Sequence, residues 1–166
     1  IVRNTPLTLI IVFCNIGFIV NLGMSFTNDI ARNNIIWAII GLSFYHAAFV
    51  CEALRSGVNT VPVGQAEAAR SIGLTFSQSL SEVLLPQAFR GAITPLGNTL
   101  IALTKNTTVA TAIGVAEISG LMKEMMEFRA DLIIVIFLLV AIGFVILTLP
   151  IGLLTTRLST KLAVKR

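Results

Sequence analysis

Long stretches without a charged side chain constrain this chain more than any other feature. Residues 4–28, 33–51 and 132–156 contain no Asp, Glu, Lys or Arg, and they are 25, 19 and 25 residues long. A helix that crosses the hydrocarbon core of a bilayer needs about 20 apolar residues, so each stretch is long enough for one crossing. A fourth stretch, residues 91–116, has 26 residues and one charge, Lys105.

The composition excludes a soluble or a disordered chain. Hydrophobic residues make up 55% of the 166 residues and charged residues 12%, whereas an average soluble domain has about 25% charged residues. Disorder requires low hydrophobicity and high charge. We therefore predict an all-α, polytopic membrane helix bundle that forms a single transmembrane domain over residues 1–166. The predicted spans are about 5–26, 35–54, 91–115 and 132–155.

The basic residues predict how these spans are oriented. Four spans place eight of the 12 Lys and Arg residues on one side of the membrane and three on the other, with Lys105 inside a span. Cytoplasmic loops carry the excess of Lys and Arg. We therefore expect residues 56–90 and 157–166 in the cytoplasm and residues 27–34 and 117–131 outside.

The sequence gives little support for a metal site, a nucleotide-binding site or a reactive cysteine. The chain has one His and no Cys-x-x-Cys, so we expect no metal site. Cys14 and Cys51 lie in apolar runs and are predicted to be buried, inert thiols. No Gly-rich phosphate-binding loop is present, and the charges are too sparse for nucleic acid.

The long loop between the second and third spans contains a short helical sequence. Gln65–Ile72 is rich in Ala, Glu and Arg, which favour helix, and Gly73 is a natural residue at which to end it. Gly57 is predicted to end the span before this loop, and Pro86 to break the segment after it. The helix is either an ordinary surface helix or a docking element, with small Ala side chains for close approach and Glu67 as a charged contact.

The spacing within this loop resembles the signature of ABC importer permeases. Glu67-Ala68-Ala69 is followed after three residues by Gly73, and after nine more by Val83-Leu84-Leu85-Pro86. Further segments resemble the polar amino-acid importer family, most of all the actinobacterial glutamate permeases. These segments are Arg3–Leu7 (RNTPL), Glu52–Gly57 (EALRSG), Leu103–Thr108 (LTKNTT, with Asn106 where the family has Asp) and Ile113–Glu117 (IGVAE).

The resemblance implies a fold, partners and a coupling site. The fold is that of a type I ABC importer permease, whose usual member has five spans, so we expect a first span before residue 1. The implied partners are ABC ATPase subunits, a sister permease or a second copy of this chain, and an extracytoplasmic amino-acid-binding protein, all at the plasma membrane. ATP and Mg²⁺ would be bound by the ATPase subunits. The residues implied to couple to the ATPase are Gln65, Glu67, Ala68, Ala69, Arg70 and Gly73.

Lys105 is the most informative residue inside a predicted span. A charge within a membrane is costly and usually faces a cavity, a pathway or a partner. Lys105 therefore either attracts the carboxylate of a translocated amino acid or forms an ion pair or carbonyl contact that stabilises a broken helix. The accompanying path candidates are Asn98, Thr104, Asn106, Thr107 and His46, of which His46 is alternatively a satisfied interior residue.

Two other classes of function remain as alternatives. A channel or secondary transporter for small polar solutes would work without ATPase partners, and would not need a docking helix in the cytoplasm. An intramembrane enzyme would need a catalytic set, and the single His has no nucleophile motif beside it. The docking helix argues against these alternatives, and the resemblance implies the transmembrane subunit of an importer of a polar amino acid, glutamate above all.

Overall fold

The computed structural model describes residues 2–162, which are helical almost throughout and contain no strand. This confirms the predicted all-α fold class. Three short segments are 3-10 helical and two are π-helical: Val2–Asn4, Thr107–Ile113 and Ala130–Leu132, then Cys14–Asn21 and Ser79–Leu84. The α-helices are α1 (Leu7–Phe13), α2 (Ile30–Asn59), α3 (Val63–Ser71), α4 (Phe76–Gln78), α5 (Leu85–Asn106), α6 (Ile118–Phe128) and α7 (Ile133–Leu162).

Two helical stretches in the described part of the chain are long and apolar enough to cross a membrane. They are Ile30–Asn59, with a mean hydropathy of 1.6, and Ala130–Leu162, with 3.4. Only 6% of the most apolar window of the second stretch is buried within the chain. Lipid or another subunit must therefore cover most of α7, because so much exposed apolar surface is unfavourable in water.

The chain divides into two compact units, of which the first contains the residues before 49 and residues 102–149. Its core is formed by apolar side chains from α1, α2 and the 3-10 segment after α5: Leu7, Ile11, Ala38, Leu42, Ala110 and Ile113. Asn34 ties these parts together, since its amide donates to the Ile113 carbonyl at 2.8 Å and accepts from Asn15 at 3.1 Å. These bonds satisfy polar groups that would otherwise be costly to bury.

The second unit contains residues 49–101 and the chain from Pro150 onwards. In this unit the chain at the end of α2 lies very close to α5 at two glycines. A Cβ on Gly57 would lie 2.8 Å from the Ala92 Cβ and would overlap the Ala88 carbonyl. A Cβ on Gly91 would likewise overlap the Thr60 hydroxyl. The prediction that Gly57 ends the helix is wrong, because α2 continues to Asn59 and uses Gly57 for close packing.

Pro86 does not break the helix as predicted. The π-helical segment Ser79–Leu84 leads directly into α5, in which Pro86 is the second residue. Proline is tolerated in the first turn of a helix, where its missing N–H has the least effect. The wider π turn before Pro86 changes the hydrogen-bond register, so the chain accommodates proline without a break.

Candidate functional site

Helix α3 is fixed at both ends. It begins after Pro62, which has extended backbone angles, and ends at Ser71, with Ile72 as the capping residue. Gly73 follows with a φ of +85°; its N–H donates to the Arg70 carbonyl at 2.9 Å, and the N–H of Leu74 donates to the Ala69 carbonyl at 3.1 Å. This pair of bonds is a Schellman motif, which favours glycine at the left-handed position. The predicted helix and its predicted end at Gly73 are confirmed.

The two faces of α3 have different environments. Ala69 is buried at 3% exposure and Ala66 is half-buried, so this face packs against the rest of the second unit, to which α3 belongs. The predicted coupling residues Gln65, Glu67, Ala68 and Arg70 are exposed, as is Gly73. Ala69 therefore seats the helix on the rest of its own unit, and its implied role in coupling stays a prediction.

Large apolar side chains stand exposed at the ends of α3. Val63 is 75% exposed at its first residue, Ile72 is 77% exposed at its end, and Phe76 in the next helix is 70% exposed. The start of α4 is firmly held, since Thr75 and Gln78 form a reciprocal capping box. Together with the exposed polar face of α3, these side chains form an outward surface with a charged centre and apolar ends.

Lys105 lies in the last turn of α5, immediately before the chain tightens into the 3-10 segment. Its side chain is exposed, and its ammonium has no carboxylate partner within residues 2–162. The ion pair expected under the structural alternative is therefore not formed in this part of the chain. The hydroxyls of Thr107 and Thr108 donate to the carbonyls of Thr104 and Lys105 at 2.7 and 2.8 Å, which stabilises the change of helix type.

The structure brings two of the path candidates together. His46 is buried at 5% exposure in α2, and its Nε2 lies 3.3 Å from the Nδ2 of Asn106. Its Nδ1 lies 3.0 Å from the Leu42 carbonyl oxygen. His46 is therefore buried with both ring nitrogens in hydrogen-bond contact, in agreement with the alternative prediction of a satisfied interior residue.

The other path candidates differ in their surroundings. Thr107 is exposed and Thr104 is half-buried, both in the first unit. Asn98 is exposed in the second unit. The role of these side chains in a path remains a prediction.

Glu117 forms a polar site whose capping role the sequence did not predict, although the residue ends the IGVAE segment. Its carboxylate caps α6, accepting from the backbone N–H of Ser119 at 2.9 Å and of Gly120 at 2.8 Å, and from the Thr111 hydroxyl. Partial burial is the largest single effect and raises the pKa of Glu117, but these hydrogen bonds together outweigh it and lower the pKa below its ordinary value. Glutamate is not among the preferred capping residues, so the sequence carried no clear signal.

Residues 2–162 contain no group of three His, Cys, Asp or Glu side chains that could hold a metal ion. Cys14 is buried, as predicted. The same prediction is wrong for Cys51, which is exposed on α2 because it lies on a side of the helix that this chain does not cover.

Comparison with known proteins decides the family. The family model described as "Binding-protein-dependent transport system inner membrane component" matches residues 1–164. The chain belongs to this family. As a member of it, the chain is a multi-pass protein of the plasma membrane and a transmembrane permease component of an ABC importer.

The relatives of this permease include amino-acid transporters. The chain is 54% identical to the glutamate transport system permease protein GluC of Corynebacterium efficiens, over 99% of this chain and 75% of the relative. It is 52% identical to the protein of the same name from Corynebacterium glutamicum, with the same coverage. The probable glutamine ABC transporter permease protein GlnM of Bacillus subtilis is 34% identical over 92% of this chain and 67% of its own length.

A solved structure supports the permease fold independently. The crystal structure of an amino acid ABC transporter with histidines matches with a TM-score of 0.82. The match covers 96% of this chain and 71% of that chain, at 24% sequence identity. It establishes the likeness of fold, which agrees with the type I permease fold expected from the sequence.

Proposed function

We propose that this permease is a transmembrane subunit of an ATP-driven importer that carries a polar amino acid, glutamate, into the cell. The names of both Corynebacterium relatives support glutamate as the solute. The observation that carries the proposal is α3, a short helix fixed at both ends whose polar face is turned outward.

In this proposal α3 docks into a cleft of an ABC ATPase subunit. Glu67 provides the charge at the centre of the docking surface, and Ala68 allows a close approach. The exposed Val63 and Ile72 would be covered at its ends, since large apolar side chains are stabilised by burial. The Nε2 of Gln87 in α5 donates a hydrogen bond to the Oε1 of Gln65 in α3 at 3.4 Å. In this proposal a displacement of α3 is therefore passed to α5.

The proposed orientation of the chain in the membrane is based on the distribution of Lys and Arg between the two sides. Residues 56–90 and the end of α7 lie in the cytoplasm, and α6 lies outside. The predicted cytoplasmic tail extends to residue 166, and its residues 163–166 lie outside the described part of the chain. ATP and Mg²⁺ are bound by the ATPase subunits, a sister permease or second copy completes the membrane part, and an extracytoplasmic binding protein delivers the solute.

Lys105 is the proposed contact for a carboxylate of the solute. Its exposed ammonium without a partner in residues 2–162 supports this role, because a cation at membrane depth is stabilised by an anion that passes it. Thr107 is exposed two residues later and could contribute its hydroxyl to the same path. Asn98 and Thr104 stay candidates from the sequence.

A substitution at Glu67 tests the docking role. We expect Glu67→Lys to lower ATP-driven uptake by more than about tenfold, since reversing a charge within a docked interface costs several kcal/mol. Glu82→Lys is the matched control, because Glu82 is an exposed acid of the same loop that lies outside α3. Uptake and co-purification of the ATPase are measured together. Normal uptake with normal ATPase association in Glu67→Lys would refute the docking role.

A further inference from the structure

The last turn of α5 contacts a buried side chain of α2, His46, whose imidazole nitrogens form two hydrogen bonds. The Leu42 carbonyl can only accept, so the hydrogen of the imidazole lies on Nδ1, 3.0 Å from that oxygen. Nε2 then has a lone pair and accepts from the amide of Asn106 at 3.3 Å. Both ring nitrogens of His46 are satisfied in this arrangement.

This hydrogen bond fixes the rotation of the helix end that carries Lys105. Asn106 is the last residue of α5, and neighbouring residues of an α-helix point about 100° apart around its axis. With Asn106 turned towards His46, Lys105 is directed away from that contact, where it is exposed. The chain changes to a 3-10 helix directly afterwards, so the register of this turn is not fixed by a continuing α-helix.

We propose that His46 and Asn106 act as a pair of positioning residues, which set the direction from which Lys105 meets a carboxylate. This inference rests on the proposed function and refines it: His46, at 5% exposure, acts through Asn106 and not by touching the solute itself. The pair would thereby favour a solute with a side-chain carboxylate, such as glutamate, over its uncharged amide, glutamine.

The test compares uptake of glutamate and glutamine per assembled complex in vesicles that contain the whole transporter. In His46→Ala and in Asn106→Ala the ratio of glutamate to glutamine uptake falls about tenfold, the effect of one lost hydrogen bond. The ratio in the double variant is no lower than in either single variant, because both substitutions remove the same contact. His46→Gln restores the ratio, since its Oε1 can accept from Asn106.

A matched control separates positioning from folding. Asn33 is another buried polar residue of α2 in the same unit, and its Oδ1 accepts from the N–H of Phe26 at 2.9 Å. Asn33→Ala lowers the yield of complex and leaves the uptake ratio unchanged. If His46→Ala does the same, the positioning role is overturned.

Lys105→Met distinguishes this inference from the function on which it rests. It removes the ammonium and keeps an unbranched side chain, so the uptake ratio falls at least as far as in His46→Ala. An unchanged ratio in Lys105→Met overturns the proposed contact with the solute. A lowered ratio in Lys105→Met, together with unchanged ratios in His46→Ala and Asn106→Ala, overturns the positioning role alone.

Discussion

The carboxylate of Glu117 shows how one residue stabilises a helix start outside the predicted spans. It accepts two backbone N–H groups of α6 and the Thr111 hydroxyl. These bonds favour the charged form and lower the pKa of Glu117. A group whose pKa is lowered on folding stabilises the folded state above its unfolded pKa, and this contribution is lost as the pH falls through the folded value.

We therefore predict that the first turn of α6 loses stability in acid. Hydrogen-exchange protection of the Ser119 and Gly120 amides is expected to fall as the pH drops below the ordinary value of 4.5. In Glu117→Gln protection at neutral pH is lower by about 1 kcal/mol, the usual effect of a lost cap, and its pH dependence is weaker. Glu124→Gln is the control, because Glu124 lies on the same helix without capping it. Wild-type pH dependence in Glu117→Gln would contradict this account.

At the residue scale the sequence identified side chains but not their partners. His46 and Asn106 were both candidates, yet they lie 60 residues apart, and only the folded chain shows their hydrogen bond. Lys105 stood out because a charge in an apolar stretch is visible without a structure. Asn34 gave no such signal, although it connects two distant parts of the first unit.

In the second unit, the size of one residue, Gly57, determines how closely α2 approaches α5. Gly57 brings the two backbones so close that a Cβ would lie 2.8 Å from the Ala92 Cβ and 2.9 Å from its nitrogen. Any side chain there forces the helices apart. The approach depends on glycine for space and not for backbone freedom, since the residue lies within a regular helix.

Gly57→Ala is expected to destabilise the complex by about 1–3 kcal/mol, as overpacking does in a close-packed interior. The measurement is the melting temperature of the purified complex in detergent. Gly143→Ala is the matched control, because a Cβ at that position of α7 meets nothing within 4 Å. A melting temperature equal to that of the wild type in Gly57→Ala would show that the helices do not need this approach.

Local sequence rules predicted one helix boundary correctly and two others wrongly. The end of α3 at Gly73 follows from a local rule, since the left-handed position at a helix end favours glycine. Gly57 and Pro86 were predicted as helix boundaries by similar rules, but packing against Ala88 and Ala92 and the π turn before Pro86 decide otherwise. Local propensity is a weak guide where tertiary contacts compete with it.

At the scale of the whole molecule, the charge-free stretches were sufficient to predict a helical membrane protein. The family match confirms it, and the apolar exterior of α7 agrees with it. The division into two units could not be predicted, because it depends on contacts between distant residues. An example is the hydrogen bond of 3.0 Å between the hydroxyls of Thr94 and Ser159, which are 65 residues apart.

In the proposed function this permease imports glutamate, driven by ATP hydrolysis. The most direct measurement is accumulation of labelled glutamate in vesicles that contain the permease, its sister or second copy and the ATPase subunits. The binding protein is placed on the outer side and ATP on the cytoplasmic side. We predict accumulation with ATP that stops with a non-hydrolysable analogue or without the binding protein. Equal accumulation after the ATPase subunits are omitted would contradict the claim and indicate a channel or secondary transporter.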